Sequence, residues 1–355
     1  MQQFKLSLAV LSLAVLAGCG GGSTGSPGKP QFSAVVSFGD SLSDTGAYTP
    51  ATINPLTGLP TGGKFTTNPG PIWIEDIAAK LNLAITSNVV GYGNSSVTCP
   101  KASCTAYGQG GSRVTNINGI GHDTGALTIP MKTQMDNHLA ANVSYKPTDL
   151  VFVYGGNNDV FYQAGYVGAV VAGASAAPGA TAASVGAAAQ QAQQTAGLAM
   201  ATAATELAGY VRDKVLAKGA KYVVVMNLPD SAATPYGSTL TADGRALLTG
   251  LVNTFNTTFQ KAVTDLALDV VVIDANAANK DVFANSVQYG VTNSSVPACD
   301  LTKLPGGSSL FCNSTTLIPT ANAGFLFADS VHPTIFGHRL FADYVTLQLA
   351  KKGWF

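Results

Sequence analysis

Asp329 and His332 stand three residues apart near the end of the chain, a spacing that suits a proton-transfer pair. An aspartate at that distance can bond one ring nitrogen of the histidine and leave the other nitrogen facing a hydroxyl. Ser41 supplies a candidate hydroxyl, because it follows the apolar run 35–38 and a break at Gly39. A histidine held in this way can take the serine proton and create a nucleophile. The alternative is that Ser41 and Asp329 only cap helices, where Ser and Asp are preferred.

Two further blocks carry groups that could hold a negatively charged oxygen. Asn158 follows the apolar run 150–154, and an amide side chain at the end of a strand can donate a hydrogen bond to a developing oxyanion. The paired glycines Gly110 and Gly111 let the backbone approach a ligand closely and expose an N–H group. Taken alone, each block is more typical of an ordinary turn, since Gly, Asn and Asp are turn residues.

Alternating apolar runs and helical patterns predict the elements that would position these residues. Buried strands are expected at 35–38, 150–154, 222–226 and 270–273, and helices at 72–81, 187–216, 242–267 and 335–349. Such alternation predicts a mostly parallel sheet covered on both faces, which is a three-layer α/β/α sandwich. Long loops are expected at 45–71 and 276–323, and residues 167–185, within the Ala- and Gly-rich insertion 164–190, are expected to be irregular or to form a lid.

The overall composition excludes two classes of protein. Hydrophobic residues make up 46% of the chain and charged residues only 11%, which argues against disorder. Lys plus Arg equals Asp plus Glu, so the net charge is zero. The chain therefore lacks the basic surface that nucleic-acid binding requires.

The N-terminus has the pattern of a targeting segment. Lys5 precedes the apolar run 6–16, which is too short to span a membrane. The run ends in Leu16-Ala17-Gly18-Cys19. This ending resembles a bacterial lipoprotein signal, in which residues 1–18 are removed and lipid is attached to the Cys19 thiol. An ordinary secretory signal is the alternative.

The segment after Cys19 is expected to be a tether to a single folded domain. Residues 19–30 are rich in Gly, Ser and Pro, a composition typical of a flexible linker. The domain would then span residues 31–355. The lipid anchor would place it in the bacterial cell envelope, at the outer membrane, whereas an ordinary signal would release it as a secreted protein.

Four cysteines follow Cys19 and fall into two local pairs, Cys99 with Cys104 and Cys299 with Cys312. An even number in an exported chain favours disulfides. Three connectivities are possible, and local pairing is the one expected. A metal site is disfavoured, because neither pair has C-x-x-C spacing and no histidine lies near in sequence.

The chemical blocks occur together in an order that resembles the GDSL, or SGNH, hydrolase family. They are Gly39-Asp40-Ser41-Leu42, Gly110-Gly111, Gly156-Asn157-Asn158-Asp159 and Asp329-Ser330-Val331-His332. The opening block is similar to that of the lipase and lecithinase branch, and the resemblance covers essentially the whole of residues 31–355. It implies the flavodoxin-like fold of SGNH hydrolases and the cleavage of carboxylic esters, as an esterase, lipase or phospholipase, without metal or cofactor.

Carried onto this chain, the resemblance implies a role for each candidate residue. Ser41 would be the nucleophile that carries the acyl group, His332 the general base and then acid, and Asp329 the residue that orients His332. The oxyanion hole would consist of the backbone N–H groups of Ser41 and Gly111 and the side-chain amide of Asn158.

Three functions remain open from the sequence. The first is an esterase or lipase that acts on acyl esters and lipids. The second is an acyltransferase with an alcohol as acceptor, which a transferred acyl product in the presence of a sterol or other alcohol would identify. The third is a non-catalytic surface lipoprotein that only binds, and turnover of any ester would exclude it.

Overall fold

The computed structural model describes residues 28–355. The expected signal 1–18, the lipidation site Cys19 and most of the tether 19–30 lie outside the described residues. Those expectations therefore stay predictions.

Four parallel strands form the central sheet. The strands of the described residues are β1 Ala34–Gly39, β2 Val89–Tyr92, β3 Ser95–Thr98, β4 Asp149–Tyr154, β5 Tyr222–Met226 and β6 Val271–Ile273. The sheet has the order β1-β4-β5-β6, and each neighbouring pair is parallel. Strands β2 and β3 form a separate antiparallel hairpin. Because parallel sheets are buried on both faces, their strands are mostly apolar, and all six residues of β4 are buried.

Helices connect and cover these strands. Their bounds are α1 Trp73–Lys80, α2 Met131–Asn142, α3 Asn157–Ala176, α4 Ala182–Tyr210, α5 Pro235–Ser238, α6 Ala242–Asp265, α7 Ala275–Ala284, α8 Ser286–Tyr289 and α9 Ile335–Lys351. Helix α4 continues through a π-helical turn, Val211–Val215, into a 3-10 turn that ends at Gly219 in the left-handed conformation. Within residues 28–355, no helix combines the length and apolar character needed to cross a membrane.

The strands alternate their side chains between two buried layers. Phe152 of β4 packs in a core with Trp73 of α1 and Val345 of α9. Val151 and Val153, which flank Phe152, point to the other face and pack with α2, α3, α4 and α6. The prediction of a three-layer α/β/α sandwich is thereby confirmed.

The prediction of an irregular insertion within 164–190 is wrong. Helix α3 runs to Ala176 and α4 starts at Ala182, so only a short turn separates them. Alanine has the highest helix propensity, and it outweighs the scattered glycines over this stretch. Thr181 begins α4 by accepting a hydrogen bond from the N–H of Ser184 at 3.1 Å. The segment 276–323 is also less irregular than expected, because it contains most of α7 and all of α8.

Candidate active site

The Ser41 hydroxyl, the His332 imidazole and the Asp329 carboxylate form one hydrogen-bonded chain. Ser41 Oγ lies 2.9 Å from His332 Nε2, and His332 Nδ1 lies 2.7 Å from Asp329 Oδ2. Ser41 and Asp329 are buried, whereas the His332 side chain is 16% exposed. An Nδ1–H group bonded to a carboxylate leaves Nε2 as the acceptor toward the serine. The three residues that the sequence singled out as a catalytic set are therefore in contact.

A short turn at the carboxyl end of β1 positions Ser41. Asp40 accepts a hydrogen bond from the N–H of Leu42 at 3.1 Å and so caps the 3-10 turn that begins at Ser41. Gly39 is required for close packing, because a Cβ atom there would lie 2.4 Å from the carbonyl oxygen of Tyr154. The serine thus leaves the sheet at the point where β1 and β4 end side by side.

Backbone N–H groups hold the Asp329 carboxylate in place. Its Oδ1 atom accepts from the N–H groups of Val331 and His332 at 2.9 and 2.8 Å, and Oδ2 accepts from Ser309 at 2.7 Å. Burial alone would raise the pKa of Asp329, but the adjacent His332 and these N–H donors outweigh burial and lower the pKa to about 2. Asp329 is therefore ionised in the folded protein near neutral pH.

Of the two disulfides, one closes a loop that contacts the triad. Cys299 is bonded to Cys312, and Cys99 is bonded to Cys104, which is the local pairing that the sequence favours. The loop closed by the Cys299–Cys312 bond contains Ser309, the donor to Asp329. Closing a loop of this size limits the unfolded chain and stabilises the fold by about 3 kcal/mol in the chain-entropy account.

The oxyanion candidates lie next to one another. The Asn158 side chain donates from Nδ2 to the carbonyl oxygen of Ser112 at 2.9 Å, one residue after Gly111. Of the two glycines, Gly110 uses its N–H group on Asp44 Oδ2 at 2.9 Å. The Gly111 N–H has no acceptor among residues 28–355, and its φ of +77° favours glycine.

The start of α3 links these donors to the serine turn. Asn157 and Asn158 are the first two residues of α3. The Asn157 side chain donates to Asp40 Oδ2 at 3.0 Å, directly beside Ser41. The N-terminus of a helix carries partial positive charge, so α3 contributes a favourable field for a negative oxygen in this region. Burial raises the pKa of the Asp40 carboxylate.

A buried ion pair that the sequence analysis missed joins the glycine segment to α3. Arg113 Nε lies 2.8 Å from Asp159 Oδ1, and both side chains are less than 10% exposed. Asp159 also accepts from the N–H of Val114 at 3.0 Å, and the Arg113 guanidinium lies 4.0 Å from the ring centre of Tyr162. Burial raises the pKa of Asp159. This pair fixes the position of Gly111 relative to Asn158, and nothing in the local sequence indicates that the two charges meet.

Asp44 and Gln134 also hold the site without having been predicted. Asp44 is fully buried and accepts from the N–H groups of Gly46, Ala47 and Gly110, while burial raises its pKa to about 6. Gln134 of α2 bonds both backbone groups of the glycine that precedes Asp40, with Oε1 at 2.9 Å and Nε2 at 2.8 Å.

Two of the other three histidines are structural. Burial lowers the pKa of His138 to about 4 and that of His338 to about 3, so both are neutral at physiological pH. His122 begins a short 3-10 turn, His122–Thr124, with Nδ1 3.0 Å from Thr128 Oγ1. Within residues 28–355 no group of three or more His, Cys, Asp or Glu side chains is arranged to bind a metal ion.

Known proteins resemble the chain over most of its length. A sequence profile described as GDSL-like Lipase/Acylhydrolase matches residues 35–345. Two curated relatives, both named Esterase EstA, come from Pseudomonas aeruginosa and Pseudomonas putida. Each is 26% identical over 351 residues, which cover 91% of this chain and 47% of the relative. The chain thus spans about half the length of the curated relatives it matches.

Two solved structures are also similar to the chain. Phospholipase A1 from Streptomyces albidoflavus NA297 is 16% identical, with 89% of this chain and 98% of that chain covered and a TM-score of 0.45. An extracellular lipase from Streptomyces rimosus is 13% identical, with 88% and 98% covered and a TM-score of 0.39.

Proposed function

We propose that this chain, which belongs to the GDSL-like lipase/acylhydrolase family, hydrolyses carboxylic esters with Ser41 as its nucleophile. The observation that carries the proposal is the hydrogen-bonded chain from Ser41 through His332 to Asp329. Its substrates are acyl esters and lipids, with phospholipids included, because each presents the same ester carbonyl to the serine.

In the first half-reaction His332 Nε2 takes the proton of Ser41 while Oγ bonds to the carbonyl carbon. The electrons of the C=O bond move to the oxygen, and the N–H groups of Ser41 and Gly111 and the amide of Asn158 bind the oxyanion. The C=O bond then reforms and the ester C–O bond breaks. His332 gives its proton to the departing alcohol, and the acyl group remains on Ser41.

In the second half-reaction water replaces the alcohol. The water oxygen bonds to the acyl carbon while His332 takes a proton from the water. The same three donors hold the new oxyanion. When this tetrahedral intermediate collapses, the bond between the acyl carbon and Ser41 Oγ breaks, and Oγ recovers its proton from His332. Asp329, whose pKa is about 2, stays ionised throughout and stabilises the imidazolium in each step.

Two serines of the same turn provide the test. Ser41→Ala should abolish hydrolysis of chromogenic esters, and an organophosphonate should label Ser41 alone, as read by mass spectrometry of peptides. Ser43 is also buried, but its hydroxyl has no hydrogen-bond partner among the described residues. Ser43→Ala is therefore the matched control and should keep its turnover. Phosphonate on another residue, or activity retained in Ser41→Ala, would reject the nucleophile.

We further propose that the domain 31–355 works on a membrane surface. In this proposal residues 1–18 are a signal that is removed, Cys19 is lipidated, and residues 19–30 tether the domain to the cell envelope. The support is the pattern Leu16-Ala17-Gly18-Cys19 after a short apolar run.

A further inference from the structure

An apolar cavity of about 370 Å³ lies beside the Ser41 turn, between α7 and α9. Its near end is bounded by Leu42, Val331 and Pro333, which adjoin Ser41 and His332 in the chain. Deeper lining side chains come from α1, β4, α7 and α9, and include Trp73, Tyr154, Ala278, Val282 and Phe341. The cavity is thus lined by the chain neighbours of Ser41 and His332 and, for most of its extent, by residues of α7 and α9.

We propose that this cavity binds the acyl chain of the ester substrate, an inference that rests on the function proposed above. An acyl carbon bonded to Ser41 Oγ has its oxygen directed at Gly111 and Asn158 and its leaving group directed at His332. The acyl chain must take the remaining direction. Leu42, which follows Ser41, and Val331, which precedes His332, both line the cavity, so we place the entry of the acyl chain beside these two residues.

The charges around the cavity favour an uncharged chain over a phosphate head group. The charged lining residues within the described chain are Asp230, Asp281 and Asp343, and none is Lys or Arg. His338 also lines the cavity, and burial lowers its pKa to about 3, so it is neutral. Asp281 and Asp343 are exposed and mark the outer end. A phosphate would meet only carboxylates, whereas methylene groups would meet apolar side chains.

The size of the cavity predicts selectivity for a single chain of moderate length. Ligand pockets usually have volumes of about 300–1,000 Å³, and 370 Å³ is near the lower limit. Each methylene group that enters should raise kcat/KM about fourfold, which corresponds to about 0.8 kcal/mol. The gain should stop at the chain length that fills the cavity. We therefore expect kcat/KM to rise steadily from acetate esters and then level off.

Two adjacent alanines of α7 allow a matched test. Ala278 lines the cavity and is 7% exposed, whereas Ala277 is exposed and does not line it. Ala278→Phe should fill the space and lower kcat/KM for 4-nitrophenyl octanoate at least about tenfold, because burial of several methylenes is lost. It should leave 4-nitrophenyl acetate unchanged. Ala277→Phe should match the wild type on both esters.

A second variant and a binding measurement keep the test decisive. Val282→Trp narrows the same cavity at a half-buried position and should give the same change if Ala278→Phe does not fold. A fluorescent fatty acid should bind Ser41→Ala protein more weakly once Ala278→Phe is added, a readout that needs no turnover. If both cavity variants retain the wild-type chain-length profile and fatty-acid affinity, the cavity is not the acyl site. If the wild type cleaves no ester of any length, it is the proposed function that fails.

Discussion

Replacing Asn158 with alanine removes one side-chain donor from the oxyanion hole that we propose. Its Nδ2 group has two hydrogens, and the carbonyl of Ser112 uses one of them at 2.9 Å. The other remains for the substrate oxygen. Loss of one such donor costs about 10²–10³ in kcat, or about 3 kcal/mol of transition-state stabilisation. Because the negative charge develops only in the transition state, KM should change little.

The same substitution also leaves the Ser112 carbonyl without its donor, so a structural effect must be separated from a catalytic one. That loss should cost about 1 kcal/mol of unfolding free energy. Asn157, the preceding residue, is the comparison, because its Nδ2 group donates to the buried Asp40 carboxylate at 3.0 Å. A hydrogen bond to a buried charge contributes about 1.5–3 kcal/mol. Asn157→Ala should therefore lose more stability, and Asn158→Ala more turnover.

Steady-state hydrolysis of a chromogenic ester gives kcat and KM, and urea unfolding of the same samples gives the stability. Of the two variants, Asn158→Ala should have the lower kcat and Asn157→Ala the lower free energy of unfolding. An Asn158→Ala protein that is folded and keeps the wild-type kcat would refute the oxyanion role. Equal losses of kcat in both variants would mean that the start of α3 acts only as a scaffold.

The remaining predictions concern Asp329 and Cys19. The pKa of Asp329 is lowered from 3.8 to about 2, so its charge should stabilise the fold by about 2 kcal/mol above about pH 4, and this contribution should disappear as the pH falls toward 2. Urea unfolding between these pH values should show that loss in the wild type and not in Asp329→Asn. If the unfolding free energy falls equally with pH in both proteins, the lowered pKa of Asp329 is contradicted. Cys19→Ser should remove lipid from the protein and release it from the membrane fraction, as mass spectrometry and fractionation would measure. Retention in that fraction would exclude the anchor.

The sequence predicted those parts of the fold that can be recognised from a short stretch of consecutive residues. Each strand of the parallel sheet is a short apolar run that ends at Gly or a polar residue, as in β1 and β4. Ser41 and Asn158 follow these two strands, which are neighbours in the sheet. Because parallel strands end at the same edge, two separated blocks could be expected to meet. The hydrogen bond from Asn157 to Asp40, which joins these two blocks, agrees with that expectation, and the catalytic roles themselves stay predictions.

The contacts that the sequence did not predict join residues far apart in the chain. Gln134 bonds the glycine before Asp40 across 95 positions, and Arg113 meets Asp159 across 46. No spacing or capping rule links such pairs. Helix α2, which carries Gln134, has little separation of polar and apolar faces (its buried residues include Gln134 and His138), so periodicity does not identify it.

Four buried aspartates hold loops from different parts of the chain around Ser41. Asp40, Asp44, Asp159 and Asp329 are each at most 3% exposed, and each accepts backbone N–H groups from the loops beside Ser41. Burial raises the pKa of the first three, which means that their negative charge reduces stability at neutral pH relative to the unfolded chain. In Asp329 the opposite holds, because His332 lies against it. The charges of Asp40, Asp44 and Asp159, which order the backbone, thus reduce the free energy of unfolding. Asp329, which would stabilise the His332 imidazolium, is the one of the four whose charge the fold favours.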